Sequence, residues 1–86
     1  MTTPTVTVYT TRFCPYCIRA KQLLVQKGVE FVEHAVDGQP QLRAELRAKS
    51  GQSTVPQIWI GETHVGGCDE LFALERQHKL DTLIGR

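Results

Sequence analysis

Two cysteines separated by two residues, Cys14 and Cys17, form the pair with the clearest potential for chemistry in this sequence. On a helix, side chains three positions apart share a face, and their Cβ atoms are about 5–6 Å apart. A small adjustment of the first turn brings such atoms to the roughly 3.5–4.5 Å that a disulfide requires. Pro15 suits the first position of a helix, because the N–H that proline lacks would be unpaired there. The spacing therefore predicts a redox-active dithiol at the N-terminus of a helix.

The two thiols are expected to have different roles. The thiolate is the reactive form in disulfide exchange, and a helix N-terminus stabilises it through free N–H groups and about half a positive charge. Cys14 occupies this position, and the nearby cations in the sequence are Arg12, Arg19 and Lys21. Cys17 falls on the apolar face of the predicted helix, so it should be less exposed and less acidic. We expect Cys14 to be the nucleophile and Cys17 the resolving thiol.

The same spacing could form half of a zinc site, which normally needs four Cys or His ligands. The remaining candidates are Cys68, His34, His64 and His78, which include no second closely spaced pair. We therefore expect no metal. The odd number of cysteines, three, also argues against a static extracellular disulfide framework.

The elements that must position the dithiol follow from the hydrophobic pattern. It predicts strands at residues 5–9, 30–36, 57–60 and 63–65, and helices at residues 15–27, 40–50 and 69–77. Asp81 is expected to cap a short terminal turn, and Gly61-Glu62 to join the last two strands in a hairpin. A right-handed crossover makes the first two strands parallel. The sequence thus predicts an α/β fold with a four-stranded mixed sheet and helices on both faces.

Length and composition narrow the classes of function. The 86 residues are 41% apolar, which predicts a single domain over residues 1–86. Ten basic and nine acidic residues give a net charge of +1, which disfavours a nucleic-acid binder. No membrane association is expected, because no run of about 18 apolar residues exists. The start, Met1-Thr2-Thr3-Pro4, lacks the basic and apolar regions of a secretory leader, so we expect a cytoplasmic protein. A monomer is expected because no large apolar stripe stands out.

Three motifs in register resemble one known family. Around Cys14-Pro15-Tyr16-Cys17 the chain resembles the glutaredoxins, in particular the small bacterial dithiol type. Thr54-Val55-Pro56 and Gly66-Gly67-Cys68-Asp69 occur in the order and at the distances that this family uses. The resemblance covers essentially the whole chain. It implies a thioredoxin-like fold and a thiol–disulfide oxidoreductase that uses glutathione as co-substrate.

The resemblance also implies how glutathione would be bound. A cis peptide bond before Pro56 would turn the backbone of Val55 toward Cys14, where an extended peptide could pair with it like an added strand. Backbone N–H groups at the start of the third helix suit a carboxylate. The Asp69 side chain could hold the ammonium group that the γ-glutamyl end carries at the same carbon. Cys68 is most simply a small packed residue rather than a third redox thiol.

Other positions are assigned by the same resemblance. Arg43 stands where the family often has Arg or Gln for the glycyl carboxylate, and Tyr16 would flank the peptide or simply cover the motif. Many members have Lys three residues before the nucleophile; here that residue is Thr11, and its neighbour Arg12 is the candidate to supply the charge. The implied glutathione-binding residues are Arg12, Tyr16, Arg43, Thr54, Val55, Pro56, Gly67, Cys68 and Asp69.

Two alternatives stay open at this point. A thioredoxin-type carrier would be reduced by a flavoprotein, but thioredoxins favour Trp-Cys-Gly-Pro-Cys, whereas Phe13 precedes Cys14 here. A binding module would be a dimer that holds an iron–sulfur cluster through Cys14 and glutathione thiols. The expected partners of the enzyme are glutathione and disulfide-containing or glutathionylated proteins, with ribonucleotide reductase as a family-level candidate.

Overall fold

A computed structural model describes residues 4–85, so the first three residues, on which the sequence-based expectation about a leader largely rests, lie outside the described residues. The strands are β1 (Val6–Thr10), β2 (Phe31–Ala35), β3 (Gln57–Ile60) and β4 (Thr63–Gly66). The helices are α1 (Pro15–Gln26), α2 (Pro40–Ser50), α3 (Cys68–Arg76) and α4 (Leu80–Leu83). The predicted order is correct, and the predicted ends of the strands and of the first three helices differ by at most one residue. Over residues 4–85, no helix combines the length and apolar character needed to cross a membrane.

The sheet has the mixed topology expected from the sequence. The strand order is β2-β1-β3-β4. β1 is parallel to β2 and antiparallel to β3, and β3 is antiparallel to β4. The parallel pair results from the crossover through α1, and the β3–β4 hairpin turns at Gly61, where φ is +59°. Cys14 therefore lies after the carboxyl end of a central strand.

Alternating side chains of the central strands point into two hydrophobic cores, one on each face of the sheet. One core contains Val6 and Val8 of β1 together with Leu24 of α1 and Leu71 of α3, all nearly inaccessible to solvent. The other core lies under α2 and contains Tyr9, Val36 and Leu46, with Leu42, Val55 and Trp59 packed against it. The helices thus cover both faces of the sheet, as predicted.

A row of four rings crosses the sheet on the α2 side, with one ring from each strand. His34 lies 5.1 Å from Tyr9, Tyr9 lies 5.4 Å from Trp59, and Trp59 stacks on His64 at 4.6 Å, measured between ring centroids. The row follows from the two-residue period of the strands, since Trp59 is paired with His64 and Tyr9 with His34.

The end of the chain differs from the prediction at Asp81. This residue lies inside α4, whose N-cap is Lys79 with no side-chain hydrogen bond. Its carboxylate instead contacts Lys27 Nζ at 2.9 Å, and Glu75 contacts the same amine at 2.8 Å. Lys27, at the far end of α1, therefore pairs with the carboxylate that the sequence pattern predicts to cap a helix.

Candidate active site

The sulfur of Cys14 lies at the N-terminus of α1. Cys14 is the N-cap residue, with φ −125° and ψ 104°, and its Sγ accepts a hydrogen bond from the backbone N–H of Cys17 at 3.1 Å. A side-chain oxygen normally fills this position in a helix. The sulfur therefore lies beside the free N–H groups and at the positive end of the helix dipole.

The second thiol is more deeply buried. Cys17 is 1% exposed and Cys14 is 8% exposed, which is the order predicted. Burial raises the pKa of the Cys17 thiol to about 12, and its hydrogen bond with the Cys14 side chain acts in the same direction. Cys17 is therefore a neutral thiol at physiological pH. Both cysteines, with Cys68, are free thiols in this structure.

The loop before β3 brings a backbone carbonyl to the sulfur of Cys14. The Val55–Pro56 peptide bond is cis, as the resemblance implied. The Cys14 Sγ lies 3.8 Å from the Val55 carbonyl oxygen, which it faces as a donor. The main chain of Val55 is thus positioned beside the sulfur that is predicted to be the nucleophile.

A groove adjoins this point. It is lined by Tyr16, Gln52, Thr54, Val55, Pro56, Gln57, Gly67, Cys68, Asp69 and Glu70. The structure thus brings together all the predicted glutathione-binding residues except Arg12 and Arg43. Gln52, Gln57 and Glu70 were not predicted from the sequence. The only sequence signal for Gln57 is its polar side chain in the otherwise apolar segment Gln57-Ile58-Trp59-Ile60.

The start of α3 forms one end of the groove. Gly66 has φ +113°, and the backbone N–H of Gly67 donates to Glu70 Oε1 at 2.8 Å. Because the first N–H groups of a helix have no intrahelical acceptor, those of Cys68 and Asp69 are suited to an anionic ligand. Burial raises the pKa of Cys68, so its thiol is neutral and packed, as expected. Asp69 is exposed to solvent.

The cations predicted near the nucleophile have other environments. The backbone N–H of Arg12 donates to the Asp37 carboxylate at 2.8 and 3.1 Å, and the Arg12 side chain is exposed. Lys21 forms an ion pair with Glu33 at 2.9 Å. Arg43 is exposed on α2. The ligand roles of Arg12 and Arg43 stay predictions.

The described residues contain no cluster of side chains that could bind a metal ion next to the two cysteines. Between residues 4 and 85, no three or more His, Cys, Asp or Glu side chains are arranged to hold a metal ion. The groove is lined by backbone groups, amides and hydroxyls together with the carboxylates of Asp69 and Glu70.

Comparison with known proteins places this geometry in a family. The glutaredoxin family model matches residues 6–65. A glutaredoxin of Pseudomonas aeruginosa is 70% identical over 81 residues, which cover 94% of this chain and 96% of that protein. The solution structure of a Brucella melitensis glutaredoxin is 52% identical, covers 98% of this chain and 91% of that one, and superposes with a TM-score of 0.86. A crystal structure of a buckwheat glutaredoxin–glutathione complex is 33% identical, covers 95% and 76% of the two chains, and has the same TM-score of 0.86.

The fold and the dithiol are consistent with these relatives. The four-stranded mixed sheet carries the reactive cysteine at the end of its central strand β1, next to the cis-proline loop. The chain has the thioredoxin-like fold and belongs to the glutaredoxin family of thiol–disulfide oxidoreductases.

Proposed function

We propose that the protein is a glutathione-dependent oxidoreductase that reduces protein disulfides and protein–glutathione mixed disulfides. The observation that carries the proposal is the position of the Cys14 sulfur. It accepts a main-chain N–H at 3.1 Å and lies 3.8 Å from the Val55 carbonyl, at the edge of a groove. The similar buckwheat protein, whose structure is that of a glutathione complex, supports the choice of thiol.

The groove suits the three parts of glutathione. The Val55 main chain would pair with the peptide backbone of the ligand. The N–H groups at the start of α3 would donate to the γ-glutamyl carboxylate, and Asp69 would contact the ammonium group on the same carbon. Arg43 would contact the glycyl carboxylate, and Tyr16 would cover the bound peptide.

In the monothiol route, the Cys14 thiolate attacks the glutathionyl sulfur of a mixed disulfide. The bond between that sulfur and the protein breaks, and the protein thiolate leaves and takes up a proton. A second glutathione thiolate then attacks the same glutathionyl sulfur. Glutathione disulfide leaves, and the Cys14 thiolate is restored at the N-terminus of α1.

In the dithiol route, Cys14 first attacks a substrate disulfide and forms a mixed disulfide with the protein. Cys17 then loses its proton and attacks Cys14, which releases the reduced protein and leaves a Cys14–Cys17 disulfide. Two glutathione molecules reduce this bond and leave as glutathione disulfide. The deep burial of Cys17 supports its role as the second nucleophile, because a neutral thiol does not compete for the first substrate.

The physiological setting is part of the proposal. The enzyme would work as a single-domain monomer in the cytoplasm, without a metal. Its partners would be glutathione and disulfide-containing or glutathionylated proteins, with ribonucleotide reductase as one candidate.

The decisive experiment measures turnover of a glutathionylated peptide with glutathione, glutathione reductase and NADPH. We expect rapid turnover by the wild type and none by Cys14→Ser. Absence of turnover by the wild type would contradict the proposal. Reduction of the protein by a flavoprotein reductase would then support a thioredoxin-like carrier.

A further inference from the structure

Gln57 is the one residue of β3 whose side chain connects the sheet to the groove. It is 1% exposed and directly follows Pro56. Its Oε1 lies 2.8 Å from His64 Nε2, and its Nε2 donates to Gln52 Oε1 and to Thr54 Oγ1, both at 3.2 Å. Both amide hydrogens are thus used, so Oε1 is the acceptor and His64 Nε2 is the donor. A buried amide of this kind is fixed in a single orientation.

Two of these contacts reach the loop that lines the groove. Residues 51–56 have no regular secondary structure, and Gln52 and Thr54 are exposed. The backbone N–H of Gln52 donates to Ser50 Oγ at 3.0 Å, which anchors the start of the loop to α2. The Thr54 side chain donates to Gln52 Oε1 at 3.3 Å and accepts from Gln57 Nε2 at 3.2 Å. Val55 packs against the core under α2 and Pro56 is buried, whereas Thr54 is exposed, so the Gln57 amide adds a side-chain restraint where packing provides little.

The third contact reaches His64 of β4, an exposed residue whose ring packs against the sheet. The His64 ring stacks on Trp59, with centroids 4.6 Å apart and an interplanar angle of 25°. Trp59 in turn packs edge-on against the buried Tyr9. His64 is therefore held by the row of rings, and it fixes the acceptor end of the Gln57 amide.

We propose that Gln57, oriented by His64, is a positioning residue for the reaction. It holds Thr54, and through Thr54 the adjacent Val55 main chain, in the arrangement that receives the peptide backbone of the ligand. The proposal rests on the proposed glutathione-dependent function for its effect on turnover, but the restraint on the loop is independent of that function.

The loop itself is tested first, without any ligand. Gln57→Met keeps the side-chain length and removes all three hydrogen bonds. Thr10→Val is the matched control, because Thr10 is also 1% exposed and donates one hydrogen bond to Glu33 at 2.7 Å on the adjacent strand. Amide hydrogen exchange of the segment 51–56, followed by mass spectrometry, is expected to accelerate several-fold in Gln57→Met and not in Thr10→Val. Equal exchange in the wild type and Gln57→Met would overturn the proposal.

The effect on catalysis is tested with the glutathionylated peptide. We expect Gln57→Met to raise its KM about five- to tenfold, as the loss of a typical hydrogen bond predicts, and to leave kcat within about twofold. Combined with Thr54→Val, it should raise KM no further than the larger single effect, because the two residues act as one unit. The proposal would be overturned if the KM increases of Gln57→Met and Thr54→Val multiply in the double variant. A KM change in Gln57→Met no larger than that in Thr10→Val would overturn it too.

The contribution of His64 is tested by two substitutions. His64→Phe keeps the ring on Trp59 but removes the donor, and it is expected to raise KM about two- to threefold, less than Gln57→Met, because the two contacts to the loop remain. His64→Gln carries an amide nitrogen at the position of Nε2 but lacks the stacked ring, so its KM should lie between those of the wild type and His64→Phe. A KM of His64→Gln equal to or above that of His64→Phe would contradict the role of His64. If the wild type does not turn over the peptide at all, the proposed function fails, and the exchange experiment still decides whether Gln57 restrains the loop.

Discussion

The backbone N–H of Cys17 lies 3.1 Å from the sulfur of Cys14 and donates a hydrogen bond to it. Cys17, the proposed resolving residue, therefore contacts the proposed nucleophile through its main chain, while its own side chain is almost completely buried. These two contributions can be separated by mutation, because a change of side chain leaves the N–H in place.

Replacing Cys17 should separate the two routes of reduction. In Cys17→Ser the N–H to Cys14 remains, so we expect turnover of a glutathionylated peptide within about threefold of the wild type, a change of less than about 1 kcal/mol in the barrier. Reduction of a protein disulfide that needs the resolving thiol should fall at least about tenfold. Steady-state assays of both substrates measure this. Equal losses on the two substrates would contradict the assignment of roles.

The buried Cys17 thiol should make the free energy of unfolding decrease at alkaline pH. Burial, with the hydrogen bond to Cys14, raises the Cys17 pKa from 9.0 to about 12. Because the folded state retains this proton longer than the unfolded state, the contribution is complete below pH 9.0 and is lost as the pH rises toward about 12.

Cys17→Ala is the variant that isolates this contribution. Urea unfolding under reducing conditions should show a smaller alkaline loss of free energy of unfolding in Cys17→Ala than in the wild type. Lys27 and Lys49, whose pKa values are raised by hydrogen bonds to Glu75 and Glu45 respectively, are present in both proteins and cancel in the comparison. Parallel pH profiles would show that Cys17 does not carry the effect.

Arg43 should contribute to ligand binding if it contacts the glycyl carboxylate. We expect Arg43→Ala to raise the KM for glutathione about two- to fivefold, the range for an exposed ion pair. The increase should shrink at high salt, because exposed charges are screened. Arg47→Ala is the matched control, since Arg47 is exposed one turn further along α2. An equal effect of both substitutions would indicate general charge attraction instead of a specific contact.

A side chain at Gly66 should destabilise the turn that leads into α3. Its φ is +113°, and an added Cβ would lie 2.8 Å from Glu70 Oε1 and 3.1 Å from Glu70 Cγ. Gly66→Ala should therefore cost about 1–3 kcal/mol through backbone strain and displace the carboxylate that accepts the Gly67 N–H.

Gly38→Ala is the control for Gly66→Ala. Gly38 has φ +64°, and nothing lies within 4 Å of its added Cβ, so only a backbone cost of about 1 kcal/mol is expected. Chemical denaturation of both variants measures the difference. A smaller loss for Gly66→Ala than for Gly38→Ala would refute the steric argument.

The sequence was informative wherever a local rule dominates. Pro15 marks the start of α1, because proline has no N–H to leave unpaired there. Gly28, with φ +69°, follows the end of α1, because glycine adopts the left-handed backbone that ends a helix. The residues that the glutaredoxin resemblance identified come together at the groove, except for Arg12 and Arg43. The cis bond before Pro56 could be predicted only from that resemblance.

Two features were not predictable because distant partners decide them. Asp81 has the position of a cap, but Lys27 takes its carboxylate across the fold. Gln57 looks like the start of a strand, and its link to His64 depends on the pairing of β3 with β4. That pairing contains an irregularity between Ile58 and Trp59, which no pattern in the sequence indicates.

The row of rings across the sheet also has a practical consequence. Trp59 is the only tryptophan in the chain, and it stacks on the imidazole that contacts Gln57. Its intrinsic emission therefore originates two side chains away from the loop that faces Cys14. The protein thus contains its own optical reporter, and events at the groove can be followed in unlabelled material by exciting a single fluorophore.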